Sequence, residues 1–126
     1  MAHRYLGSFP CTAAGARRAR ALLKQFAQSV LTPRELQDFE AAMGEALANA
    51  VEHGQGSALS VSCWSEPGAI VTEIVHDGRG FLPPSRVALP PGAAPRGYGL
   101  FIMHQLLDEI EFLDDGRRLR LVKRVR

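Results

Sequence analysis

The sequence has no long apolar run. No stretch of the 126 residues approaches the length needed to cross a bilayer, and the first residues, Met-Ala-His-Arg-Tyr-Leu-Gly-Ser-Phe-Pro, lack the apolar segment of a secretory signal. A cytoplasmic chain without a membrane partner is expected. Cysteine is also scarce. Cys11 and Cys63 stand alone, with no C-x-x-C pair and no metal-ligand spacing around them. That excludes a disulfide scaffold and a cysteine-based zinc site, and implies reduced thiols in a reducing compartment. Net charge is small as well, +2 at neutral pH, too little to indicate a nucleic-acid partner. The excess sits near the C-terminus, in Arg117, Arg118, Arg120, Lys123, Arg124 and Arg126. There it reads as a solvated basic edge strand that discourages edge-to-edge pairing. No internal repeat is present.

What remains is an ordinary globular composition, 46% hydrophobic and 22% charged, in a length that suits one domain over residues 1–126. Residues 4–9 read as a short strand stopped by Pro10. Thr12 can cap a helix running to about residue 30, with Ala19, Leu22, Leu23, Phe26 and Val30 at helical spacing. Thr32-Pro33-Arg34-Glu35 combines an N-cap, a proline at the first helical position and a glutamate completing a capping box. The helix it opens runs to about His53, with Gly54 as its C-cap.

The period then changes to two. Residues 59–64 and 69–76 read as a hairpin around the Glu66-Pro67-Gly68 turn. Residues 82–96 form a long loop that holds five of the eight prolines. Such a loop inside a compact domain is functional or mobile. Helical spacing resumes from Tyr98 through Leu100, Met103, Leu106 and Leu107. Two final strands, near 109–113 and 118–125, flank the Asp114-Asp115-Gly116 turn. The order predicts an α+β fold, a two-layer α/β sandwich whose mixed, mostly antiparallel sheet carries helices on one face.

Three polar clusters interrupt this pattern. In the first, Glu45, Asn49 and His53 recur every four residues and so share a helix face. A carboxylate and an amide one turn apart suit Mg²⁺, which takes few protein oxygens alongside substrate phosphates. The glutamate can also serve as a general base. The second, His76-Asp77-Gly78-Arg79-Gly80-Phe81, ends a strand with glycines that admit close backbone approach. The third, Arg96-Gly97-Tyr98-Gly99-Leu100, opens a helix whose N–H groups can receive phosphate. Each alone has a plain structural explanation: a solvated helix face, a glycine-rich turn, a weak G-x-G.

In this order the clusters resemble the N, G1 and G2 boxes of the histidine-kinase-like ATPase superfamily, whose fold is called the Bergerat or GHKL fold. The strongest likeness is to its anti-sigma-factor serine kinase branch, over essentially the whole chain. The resemblance implies an ATP and Mg²⁺ site. In it Glu45 is the general base, Asn49 holds Mg²⁺, Gly78 and Gly80 flank adenine, and Gly97, Gly99 and Leu100 cradle phosphate. His53 and His76 line the nucleotide, residues 82–96 form the ATP lid, and Arg96 reaches the terminal phosphate.

It further implies a serine/threonine kinase acting on a STAS-type anti-sigma-factor antagonist, with a sigma factor as alternative partner and a homodimer as a possible assembly. The helix expected over residues 12–30 carries no histidine, unlike the phosphoacceptor hairpin of a two-component kinase. One position departs from the family pattern: His76 stands where the family has the aspartate that accepts the adenine amino group. Exchanging a charged for a neutral acceptor costs roughly 1–2 kcal/mol. Two outcomes are open, altered ATP binding or a pseudokinase that works as a protein-binding switch.

Overall fold

Caps fix where the two long helices start. The computed structural model describes residues 3–54, 58–78 and 98–125. Thr12 accepts a hydrogen bond from the Gly15 N–H and opens α1, Ala13–Ala27. α1 ends earlier than its apolar spacing suggests, and a turn covers residues 28–30. Thr32 and Glu35 form the full capping box at the head of α2, Pro33–His53, with Glu35 Oε1 accepting from the Thr32 N–H at 2.9 Å. The reciprocal pair satisfies two donors that the helix itself leaves over.

The remaining elements are β1 (His3–Pro10), β2 (Ala58–Glu66), β3 (Ala69–His76), α3 (Tyr98–Leu106), β4 (Glu109–Leu113) and β5 (Arg118–Arg124). The strands form one sheet in the order β1-β2-β3-β5-β4. All four described pairings are antiparallel, so the sandwich expected from the sequence is present with a wholly antiparallel sheet among the described residues. β2 and β3 pair without a break from Leu59↔His76 to Glu66↔Ala69. The chain turns from β4 to β5 through Asp114 and Asp115, both at positive φ (54° and 57°), and Gly116. Aspartate is one of the few residues with a side chain that tolerates this region.

The helices cover one face. Leu23 of α1, Phe39, Met43 and Leu47 of α2 and Met103 of α3 pack on Leu59, Val61, Ile70, Ile74, Leu119 and Leu121 of the sheet. This alternation of apolar strand residues is what pins the register, because a slip by one residue would turn every one of them to the opposite face.

The basic C-terminal strand does not lie at an edge as expected. β5 lies inside the sheet, between β3 and β4. Its arginines are accommodated there by partners on other strands and in the β4–β5 turn. Arg118 Nη1 is 3.2 Å from Glu73 Oε1 and Arg118 Nε is 3.1 Å from Asp114 Oδ2. Arg124 Nη2 is 2.7 Å from Glu109 Oε2, and the Arg120 guanidinium lies over the Trp64 ring. The run of cations is thus matched across the sheet by carboxylates and an aromatic face, which single-strand reading does not reveal.

Candidate functional site

The C-terminal half of α2 organises the site. Glu45, Asn49 and His53 are each partly exposed, whereas Ala42, Ala46 and Ala50 beside them are buried. Alanine on the inner side lets the helix lie close to its neighbours while the polar residues face outward. Among the described residues no set of three His, Cys, Asp or Glu side chains is grouped to hold a metal.

At the start of α3, Gly99 lies against Glu45. A Cβ on Gly99 would be 3.0 Å from Glu45 Oε1. The G2 segment and the N-box helix, separated by more than fifty residues of sequence, therefore meet at a backbone that must stay bare for the carboxylate to keep its place. Leu100 anchors this contact by packing partly into the core.

At the other end of α2 the contacts are tighter. Gly54 caps α2 through its N–H to the Ala50 carbonyl at 2.7 Å, with φ −99° and not the left-handed geometry of the usual glycine cap. Its lack of a side chain is needed for space. A Cβ there would be 2.7 Å from the Ala50 oxygen, 2.9 Å from Cys11 Sγ and 2.9 Å from His76 Cγ. A Cβ on Gly78 would in turn be 2.7–2.8 Å from the backbone of Gly54. Backbone packs on backbone where the G1 turn crosses the end of the N-box helix. The sequence marked Gly54 as a cap only; the histidine-glycine pair closing a helix was the available signal for this closer role. Cys11 adds a third layer, its thiol donating to the Ala50 carbonyl at 3.4 Å.

His76 occupies the middle of this junction, 5% exposed. Its backbone N–H donates to the Arg117 carbonyl at 2.9 Å, and Nδ1 accepts from the Gly78 N–H at 3.3 Å. Since Nδ1 is the acceptor, the ring proton belongs on Nε2. Burial is the main reason that the His76 pKa lies below its ordinary value, assisted by the fields of His53 and Arg117 and opposed by Asp77 and the Gly116 hydrogen bond. Asp77 is exposed. His53, in the last turn of α2, has Nε2 3.9 Å from Glu52 Oε2.

The structure thus brings Glu45 together with Gly99, and the end of α2 together with His76 and Gly78, along a single helix that also carries Asn49. Gly80, Arg96, Gly97 and the expected lid at residues 82–96 lie outside the described residues. The cavities between α1 and α2, one of about 270 Å³ lined by Arg17, Arg20, Gly44 and Ala48 among others, are separate from this face. No described helix is long and apolar enough to cross a membrane.

Comparison with known proteins bears on the family and the fold. The model of a family described as the histidine kinase-like ATPase domain matches residues 9–123. Among solved structures, the crystal structure of the RsbU and RsbW domains of Rv1364c from Mycobacterium tuberculosis is similar over the whole of this chain, with a TM-score of 0.67 and 18% sequence identity. The chain spans 32% of the length of that larger one. No match is found among curated proteins.

Proposed function

The chain belongs to the histidine kinase-like ATPase domain family, and from that premise we propose that it binds Mg·ATP and phosphorylates a serine or threonine of a STAS-type anti-sigma-factor antagonist. The observation that carries this reading is the contact between Gly99 and Glu45 on the helix that also bears Asn49. It supports the reading because Glu45, one helical turn from Asn49 on α2, lies beside the start of α3, a helix end suited to phosphate. Bound Mg·ATP supplies the γ-phosphoryl group and neutralises charge on it.

The chain's own residues do the rest. The Glu45 carboxylate accepts the proton of the attacking hydroxyl. The Asn49 side-chain oxygen would hold the cation. Leu100, half-buried against the core, holds Gly99 and the start of α3 in place, and a positioned backbone is what phosphoryl transfer chiefly demands. Residues 82–96, with Arg96, Gly97 and Gly80, complete the site in this reading as lid, charge and glycine contacts. The similarity to a protein with an RsbW domain favours a partner of the anti-sigma regulatory class. A STAS-type antagonist is the first candidate and a sigma factor the alternative.

The test is incubation of the chain with Mg·ATP and a STAS-type antagonist, followed by detection of phosphoserine or phosphothreonine. Transfer is expected from the native chain, and Glu45→Gln is expected to reduce it by about 10²–10⁴-fold, the usual contribution of a general base. An unaltered rate in Glu45→Gln would remove Glu45 from the chemistry, and no transfer at saturating ATP would leave the switch reading.

That second reading has one observation in its favour. The single acceptor of His76 is engaged within the protein, so this position is built as structure. A protein-binding switch without catalysis would bind its partner equally well after substitution of Glu45 and Asn49.

A further inference from the structure

On a different face of α2 from Glu45 and Asn49, the two long helices do not close fully on each other. The edges that meet there carry small residues, Ala13 and Ala16 on α1 and Gly44 and Ala48 on α2, and a hollow of about 270 Å³ is left between them. Leu47 and Val51 complete its apolar wall. A second, more open hollow of about 500 Å³ continues the groove toward Lys24, Gln28 and Glu40. Arg17 and Arg20 line both. Arg20 reaches across the gap, since a Cβ on Gly44 would be 3.2 Å from its Cζ and 3.3 Å from its Nε.

Arg17, Arg20 and Lys24 are exposed and, three and four residues apart, form one cationic stripe along α1. Lys24 has a carboxylate neighbour, Glu40 Oε1 at 3.7 Å. Among the described residues Arg17 and Arg20 have none. All 13 aspartates and glutamates of the chain fall within the described residues, and their ion pairs there involve other cations. The stretches 55–57 and 79–97 contain no acidic residue, so the chain's own remaining segments cannot furnish carboxylates to this groove.

We infer that the groove between α1 and α2 docks an acidic amphipathic helix of a partner protein, with an aliphatic side chain seated beside Ala16, Gly44 and Val51 and carboxylates on Arg17 and Arg20. An apolar hollow beside a cationic stripe complements a helix with one apolar and one acidic stripe. The planar guanidinium takes a carboxylate through two parallel hydrogen bonds, which fixes register as well as attraction. A nucleic-acid backbone would use the cations but leave the apolar hollow unfilled, and it would meet Glu40. The inference does not depend on nucleotide binding, because Glu45 and Asn49 take no part in the groove.

The test uses a fluorescein-labelled helical peptide of about 18 residues, with glutamates spaced to match Arg17, Arg20 and Lys24 and leucines on the adjoining stripe. It is titrated with the full chain and followed by anisotropy. Saturable binding is expected, weakened about 10-fold or more when glutamine replaces the glutamates or when the chain carries Arg17→Glu with Arg20→Glu. Ala48→Phe fills the hollow, leaves every charge in place and is expected to weaken binding by about 10-fold. No binding of the acidic peptide, or equal affinity in the folded variants, would overturn the inference. A duplex oligonucleotide that binds more tightly and displaces the peptide would overturn it in favour of a nucleic-acid surface. A dimer of the chain alone that Arg17→Glu with Arg20→Glu dissociates would assign the groove to a second copy instead. If the double variant does not fold, the glutamine peptide on the native chain and Ala48→Phe decide.

Discussion

One face of α2 is built in two ways. At its end, Gly54, Gly78 and the buried ring of His76 meet at distances that leave no room for a methyl group, and the ring's Nδ1 accepts a backbone hydrogen bond. Two turns earlier, Glu45 meets Gly99 through the tip of a flexible, partly exposed side chain. The first region resists change because its atoms are backbone and a packed ring, which can relax only by moving α2 or the end of β3. The second tolerates change because a glutamate can rotate away at little cost. A domain that positions a ligand needs both: a rigid wall to fix one end and adjustable charge where reacting groups gather.

The difference can be broken most forcefully at Gly78. Gly78→Ala would drive a Cβ to within 2.7–2.8 Å of the Gly54 backbone. Overpacking of this kind costs about 1–3 kcal/mol, and thermal unfolding is expected to occur roughly 5–10 °C lower. A melting temperature unchanged from the native chain would show that the glycine-on-glycine contact is not rigid.

Acidification probes the same junction less severely. His76 takes up a proton less readily in the folded chain than its ordinary value of 6.5 allows. Protonation would set a ring N–H against the Gly78 N–H. The folded pKa being depressed, the stability linked to His76 is complete above about pH 6.5 and is lost as pH falls below it. A series of melts from pH 7.5 to 5 is expected to decline, and an NMR titration of the His76 ring is expected to show a midpoint below that of a free imidazole. A midpoint at or above 6.5 would contradict the described hydrogen-bond pattern.

The smallest effect on stability is expected at the other region. Gly99→Ala meets only the end of the Glu45 side chain, 3.0 Å away, and the carboxylate can swing aside. The melt should change by less than about 1 kcal/mol, because alanine also favours a helix over glycine by a similar amount. Phosphoryl transfer should fall much more than stability, since the displaced group is the candidate base. Equal losses of both would erase the contrast between the two regions.

Much of this was legible in the sequence for local reasons. The Thr32-Pro33-Arg34-Glu35 signature placed the head of α2, the two-residue alternation placed β2 and β3, and the four-residue spacing put Glu45, Asn49 and His53 on one helical face. These features depend on residues within a turn or a strand of one another. Where reading failed, distant partners decided. The basic strand β5 looked like an edge because its arginines were read without the carboxylates Glu73 and Glu109, which reach them from other strands. Nothing in the linear chain says that the Gly78 N–H turns toward the His76 ring.

The sequence by itself determined the elements, their caps and the residue types that can carry phosphoryl chemistry, because spacing and capping are properties of neighbouring residues. Tertiary structure alone decided which glycines need to be glycine for want of space, and that position 76 is occupied with holding the fold. Those outcomes depend on how closely α2 approaches the end of β3 and the β4–β5 turn, a distance set by the packing of the whole core and encoded in no single segment.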